Sequence, residues 1–137
     1  MRYFVRMACF ICCVGFHVSA QQTNATSVSP WAIKEVSTFH TMLHRISNQY
    51  DEKENRRVLV NVSGELETAF KELQHASLPE KYAAAYAVFV DSIRVALDKY
   101  RKARETGNSA KLKAAFEGID ETFELAVPRL RWMLNRN

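Results

Sequence analysis

The feature that most constrains this chain is the spacing of its apolar side chains, which recur every three or four residues through four successive segments. In the first, Trp31 to Tyr50, the residues Ala32, Val36, Phe39, Leu43, Ile46 and Tyr50 fall along one side of an α-helix. A second segment places Leu59, Val62, Leu66, Ala69, Phe70 and Leu73 in the same way. The third does so with Tyr82, Tyr86, Phe89, Val90, Ile93, Leu97 and Tyr100, and the fourth with Leu112, Phe116, Ile119, Phe123, Ala126 and Leu130. No glycine-bounded run of β-branched residues competes with this pattern, so the fold class is all-α. Very short connections force sequential helices to run antiparallel. Residues 30–137 are therefore expected to form an up-down-up-down four-helix bundle with crossings of about 20°.

Local signals mark the helix ends. Ser29 followed by Pro30 suits the start of the first helix, and Asp51–Glu54 and Ser77–Glu80 resemble capping boxes for the second and third. Gly107 suits the end of the third, and Asn108 or Ser109 the start of the fourth. Pro128 should kink or end the fourth helix, leaving residues 129–137 as a distorted last turn or tail.

Residues 1–20 read as a cleavable export signal. Arg2 and Arg6 precede an apolar run from Met7 to Phe16, and Val18-Ser19-Ala20 supplies small residues at a cleavage site. The run is shorter than the roughly 20 apolar residues that cross a bilayer, so no stable membrane span is expected after cleavage. The implied destination is the periplasm or the extracellular space. Cleavage would remove Cys9, Cys12 and Cys13, the chain's three cysteines, leaving an exported domain held by its core and by no disulfide. It would also remove two arginines and no acid, lowering the formal net charge from +4 to +2. So small a charge, with no basic stripe, argues against a nucleic-acid partner. Residues 21–29 are polar and aperiodic and read as a disordered leader. Asn24 and Asn61 each begin a glycosylation sequon, which counts only in a host with that machinery.

His40 and His44 are the residues with the look of a site. At i and i+4 they project from the same side of the first helix, a spacing that lets two imidazoles share a metal ion. Counting from the turns sets His40 level with Gly64 and Gly118, whose missing side chains could leave space for an ion. Asp120 and Glu124 on the fourth helix are the acids placed to complete such a site, with a transition metal such as zinc or copper as its occupant. The competing reading is two boundary histidines hydrogen-bonded to neighbours or water, beside two tolerated glycines. Haem is not expected: there is no Cys-x-x-Cys-His, Met42 points away from the apolar stripe, and Met133 lies beyond Pro128.

Other features suggest packing or solvation. Glu117, Asp120, Glu121 and Glu124 form an acidic stripe suited to a solvated face, and Trp31, Tyr82 and Trp132 can cluster at one end of the bundle or form a partner patch. No Ser-His-Asp set, Cys-His set or glycine-rich phosphate loop is present, so an enzyme is not expected. The alternative to a metal-binding module is a structural or protein-interaction module of the cell envelope without a cofactor.

The string Trp31-(x)2-Lys34-Glu35-(x)3-Phe39-His40-(x)3-His44, the stretch Leu66 to Pro79 and the helix carrying Phe123-Glu124 resemble a group of uncharacterised exported bacterial helical-bundle proteins. Members of that group carry histidines on the first and last helices, and here Glu124 takes a place that looks like a histidine position. The resemblance implies a bacterial periplasm as destination and no particular activity. The export reading predicts that the intact mass of the secreted protein begins at Gln21, with or without pyroglutamate formation; a secreted form retaining residues 1–20 would overturn it.

Overall fold

The structure, a computed structural model, describes residues 27–50 and 55–136. The export signal and its cleavage site, the Asn24 sequon and the Asp51–Glu54 capping box lie outside the described residues. Among the described residues the chain is all-α, without a strand. A 3-10 turn at Pro30–Ala32 leads into α1 (Lys34–Gln49), followed by α2 (Asn55–Asn61), α3 (Ser63–Gln74), α4 (Glu80–Glu105) and α5 (Ser109–Leu134).

The first expected helix is divided at Ile33. Its extended backbone (φ −82°, ψ 110°) ends the 3-10 turn, and α1 starts one residue later without a side-chain cap. Burial of the Ile33 side chain, 6 % exposed, stabilises that bend. The second expected helix is divided at Val62. The run Asn61-Val62-Ser63-Gly64 contains only weak helix formers, so little local preference opposes a kink there. Hydrogen bonding nevertheless continues past it, since Val62 N–H donates to Val58 O at 3.0 Å and Leu66 N–H to Val62 O at 2.9 Å.

Two tyrosines of α4 hold the divided helix at separate carbonyls. The Tyr100 hydroxyl donates to Leu59 O in the last turn of α2, and the Tyr86 hydroxyl donates to Leu73 O, at 2.7 Å, in the last turn of α3. Helix-end carbonyls lack intrahelical donors, so these bonds answer acceptors that burial would otherwise leave unsatisfied. Burial pushes the Tyr100 phenol up to about 12 and lifts Tyr86 above the usual range, so both remain donors at any physiological pH. Outside them, Arg101 Nε and Nη2 fork onto Glu67 at 2.7 and 2.5 Å, and its Nη1 reaches Asp98 at 2.5 Å. The bond from Arg101 holds the Glu67 carboxyl below the usual carboxylate range.

At the α4–α5 turn, Gly107 adopts φ 68°, and Asn108 Oδ1 caps α5 by accepting from Lys111 N–H at 2.9 Å, as the sequence implies. The Ser77–Glu80 capping box does not form. α4 starts at Glu80 behind Pro79, with no side-chain cap bond. α5 also runs through Pro128 to Leu134 instead of ending there. Pro128 is exposed on the outer side, while Val127, Leu130 and Leu134 on either side of it are buried and keep the helix seated. The lost donor leaves only the Glu124 carbonyl without its helical partner.

The described start of the chain docks against the end of α5. Val28, in the stretch expected to be disordered, donates its N–H to Asn135 Oδ1 at 2.7 Å, and Asn135 Nδ2 donates back to Val28 O at 3.0 Å. From there residues 28–50 run antiparallel to α5, with Phe39 beside Phe123 and Tyr50 edge-on to Phe116. The α4 and α5 helices form an antiparallel pair, in which Phe89 meets Phe123. Met42 is buried, contrary to expectation: α1 also packs on α3, so its buried surface is wider than one apolar stripe. Trp31, Tyr82 and Trp132 have separate surroundings: Trp31 turns to His40, Tyr82 is buried under Lys81, and Trp132 stands exposed under Arg136. The Tyr100→Phe variant should lose about 1–2 kcal/mol of stability in urea denaturation, because the Leu59 carbonyl would be left buried without this donor; unchanged stability would contradict the anchoring role.

Candidate metal centre

His40 and His44 project from one side of α1 toward α5, where Glu124 meets them. The His40 and His44 Nε2 atoms are 2.8 Å apart, and His40 Nε2 lies 3.2 Å from Glu124 Oε1. All three ligand atoms fall within 4.8 Å of one another. Three nitrogen and oxygen donors thus converge from two helices, at the edge of the core. The His40 side chain is 29 % and that of Glu124 53 % exposed, and His44 is also exposed, so the donors lie at the protein surface.

The bend at Ile33 completes the surroundings. In an uninterrupted helix, Trp31 and His40 would be separated by about 13 Å along the axis. The 3-10 turn folds Trp31 back instead, bringing its ring to 4.7 Å from the His40 ring. On another side Phe123 stacks on His40 at 5.6 Å, with 19° between planes, while His44 stands edge-on at 4.3 Å. His40 is therefore fixed by three rings. Phe123 and Glu124, adjacent on α5, supply the aromatic support and the carboxylate from one turn of helix.

With no ion between them, the two imidazoles can share one hydrogen at their short Nε2 contact, one ring donating and the other accepting. The nearby Glu124 carboxylate sets a negatively charged acceptor beside the two imidazoles. Ligands at 2.0–2.1 Å from a tetrahedral zinc stand about 3.3 Å apart. The His40–Glu124 spacing already fits that figure, and the two imidazoles would need to part by about half an ångström to reach it.

Of the four residues singled out in the sequence, the structure brings His40, His44 and Glu124 together, and Asp120 stands outside the group. Asp120 lies one helical turn before Glu124 and is half-buried rather than solvated; its Oδ1 is enclosed without a hydrogen-bond partner. Nearby, the Tyr50 hydroxyl donates to Glu117 Oε1 at 3.5 Å, and burial, followed by the Glu117 charge, lifts its pKa. The expected level of the site is also displaced. His40 faces Phe123 and Glu124 rather than Gly118, because the Val28–Asn135 clamp and the Phe39–Phe123 contact set the register, not the matching of helix ends. A Cβ on Gly64 or Gly118 would meet nothing within 4 Å, so neither glycine hollows out a space beside the histidines. Trp31 is the neighbour that periodicity missed; Pro30, three residues before the bend, was its one local signal.

No family model matches the chain, and neither a curated protein nor a solved structure does. The reading of the site therefore rests on its own geometry. Stacking on Phe123 and the tilted contact with Trp31 predict that the His40 ring protons resonate upfield of those of His44. In the Trp31→Ala variant they should move toward the positions of an exposed histidine, and equal shifts for both histidines would contradict the arrangement.

Proposed function

We propose that the protein is a small exported binding module, an antiparallel up-down-up-down four-helix bundle whose second helix is bent, that holds a transition metal ion between His40, His44 and Glu124. One observation carries the reading: three donors of types that zinc and copper accept converge within 4.8 Å on packed helices. The pairwise antiparallel contacts of α1 with α5, α3 with α4 and α4 with α5 support the bundle arrangement. Three protein donors leave a fourth position for water or for a group on a partner. Asp120 is the nearby carboxylate with an unanswered oxygen, and it is the residue to examine for an outer role. Export fits the sequence of residues 1–20, and the periplasm or the extracellular space is the proposed location.

A second reading has its own support. Trp132 and Leu125 are among the exposed large apolar side chains, which favours a cofactor-free envelope module that engages another protein.

Calorimetric titration with Zn²⁺, Cu²⁺ and Ni²⁺ separates the two. The metal reading predicts binding tighter than about 0.1 mM, equivalent to about −5.5 kcal/mol. His40→Ala should weaken it most, His44→Ala and Glu124→Gln by more than about tenfold, and Glu105→Ala on the far surface not at all. Binding should also fade in acid, because a protonated imidazole has no lone pair with which to ligate. Equal binding by the wild type and the double variant His40→Ala/His44→Ala would leave an ordinary boundary pair.

A further inference from the structure

The side of α5 directly opposite the core carries an ordered pattern. Its buried positions include Phe116, Ile119, Phe123, Val127 and Leu130. On the outward half of the helix, about 120–180° from that buried face at 100° per residue, lie Gly118, Glu121, Leu125, Arg129 and Trp132. Leu125 is 70 % and Trp132 58 % exposed, an unusual amount of large apolar surface for the outermost side of a helix. Arg136 lies over the Trp132 ring at 4.5 Å, covering one of its faces. Neither Glu121 nor Arg129 takes part in an ion pair among the described residues.

These positions are symmetric about Leu125. Glu121 lies four residues before it and Arg129 four after; Gly118 lies seven before and Trp132 seven after. We propose that α5 is the interface of a homodimer, pairing antiparallel with the same helix of a second copy about a two-fold axis at Leu125. In that register the two Leu125 side chains meet, and each Glu121 faces Arg129 of the second copy. Each Trp132 comes over a Gly118, where no atom stands within 4 Å of a side-chain position and an indole has room. A closed two-fold interface requires this kind of self-complementarity, since every contact occurs twice. A chance apolar strip has no reason to place an acid and a base at equal distances on either side of its centre. Val88 of α4, also exposed, lines the same surface hollow as Trp132, so it extends the apolar strip on one flank.

Sedimentation equilibrium of the purified protein tests this, with a chelator present so that no metal ion can bridge molecules. The wild type should show a concentration-dependent monomer–dimer equilibrium. Glu121→Arg alone and Arg129→Glu alone each set like charges against each other at two places, and should weaken association by about tenfold or more. The double variant Glu121→Arg/Arg129→Glu restores both pairs with the charges exchanged and should return to within about threefold of the wild type. Leu125→Glu should abolish the dimer. The three substituted side chains, Glu121, Leu125 and Arg129, are exposed, so far-ultraviolet circular dichroism should confirm that each variant remains folded. His40→Ala should dimerise as the wild type does, which keeps this result separate from the metal site. A wild type that stays monomeric to about 0.5 mM, where association is worth less than about 4.5 kcal/mol, would overturn the proposal. So would a double variant no better than the single ones.

Discussion

Phe123 is where the structure is tied together. Fully buried on α5, its ring meets Phe39 of α1 at 5.7 Å, Phe89 of α4 at 5.8 Å, and His40 and Trp31 at 5.6 and 6.2 Å. One side chain thus joins three helices and forms the wall against which the histidine pair rests. Truncating a buried phenylalanine costs about 3–5 kcal/mol, a large share of the roughly 5–15 kcal/mol that holds a domain together. The candidate site is therefore built on the core rather than attached to it. Its position is as well defined as the packing of three aromatic rings allows.

Much of this was legible in the sequence, for a physical reason. Burial imposes the helical repeat on apolar residues, so Val36, Phe39, Leu43 and Ile46 on α1 and Leu112, Phe116, Ile119 and Phe123 on α5 could be assigned to the core directly. The pairing of His40 with His44 follows from the same repeat, and Glu124 is among the acids it places on the facing helix. The bends are different. At Ile33 and Val62 the local sequence only weakens the helix, and the decision rests with distant partners: the pocket that takes Ile33, and Tyr100 reaching Leu59. Pro128 shows the reverse case, in which flanking buried residues outweigh a strong local breaker. Register was the largest error. Helix ends supply little alignment energy, whereas aromatic contacts and the Asn135 clamp supply a great deal, and neither is visible as a pattern along the chain.

Three sides of α5 divide the labour of the helix. One side packs the core, a second offers Glu124 to the histidines, and the outermost strip carries Leu125 and Trp132. The Pro128 ring lies just beyond Glu124, so the turn that presents the carboxylate has one hydrogen bond fewer than its neighbours. A carboxylate on a turn with one bond fewer can shift its distance from the histidines it faces more easily than one held in an unbroken helix.

The Asn135 side chain and the Val28 backbone are separated by 107 positions along the chain. Closing so long a loop carries an entropic cost that grows only logarithmically with its length, but contacts of this kind form late because they depend on most of the chain being in place. His40 and Glu124 are joined across a span almost as long. A chain still folding would have an α4–α5 hairpin well before it had the histidine site. The site would come into being in the final closure, making its formation a marker of the completed molecule rather than of any one helix.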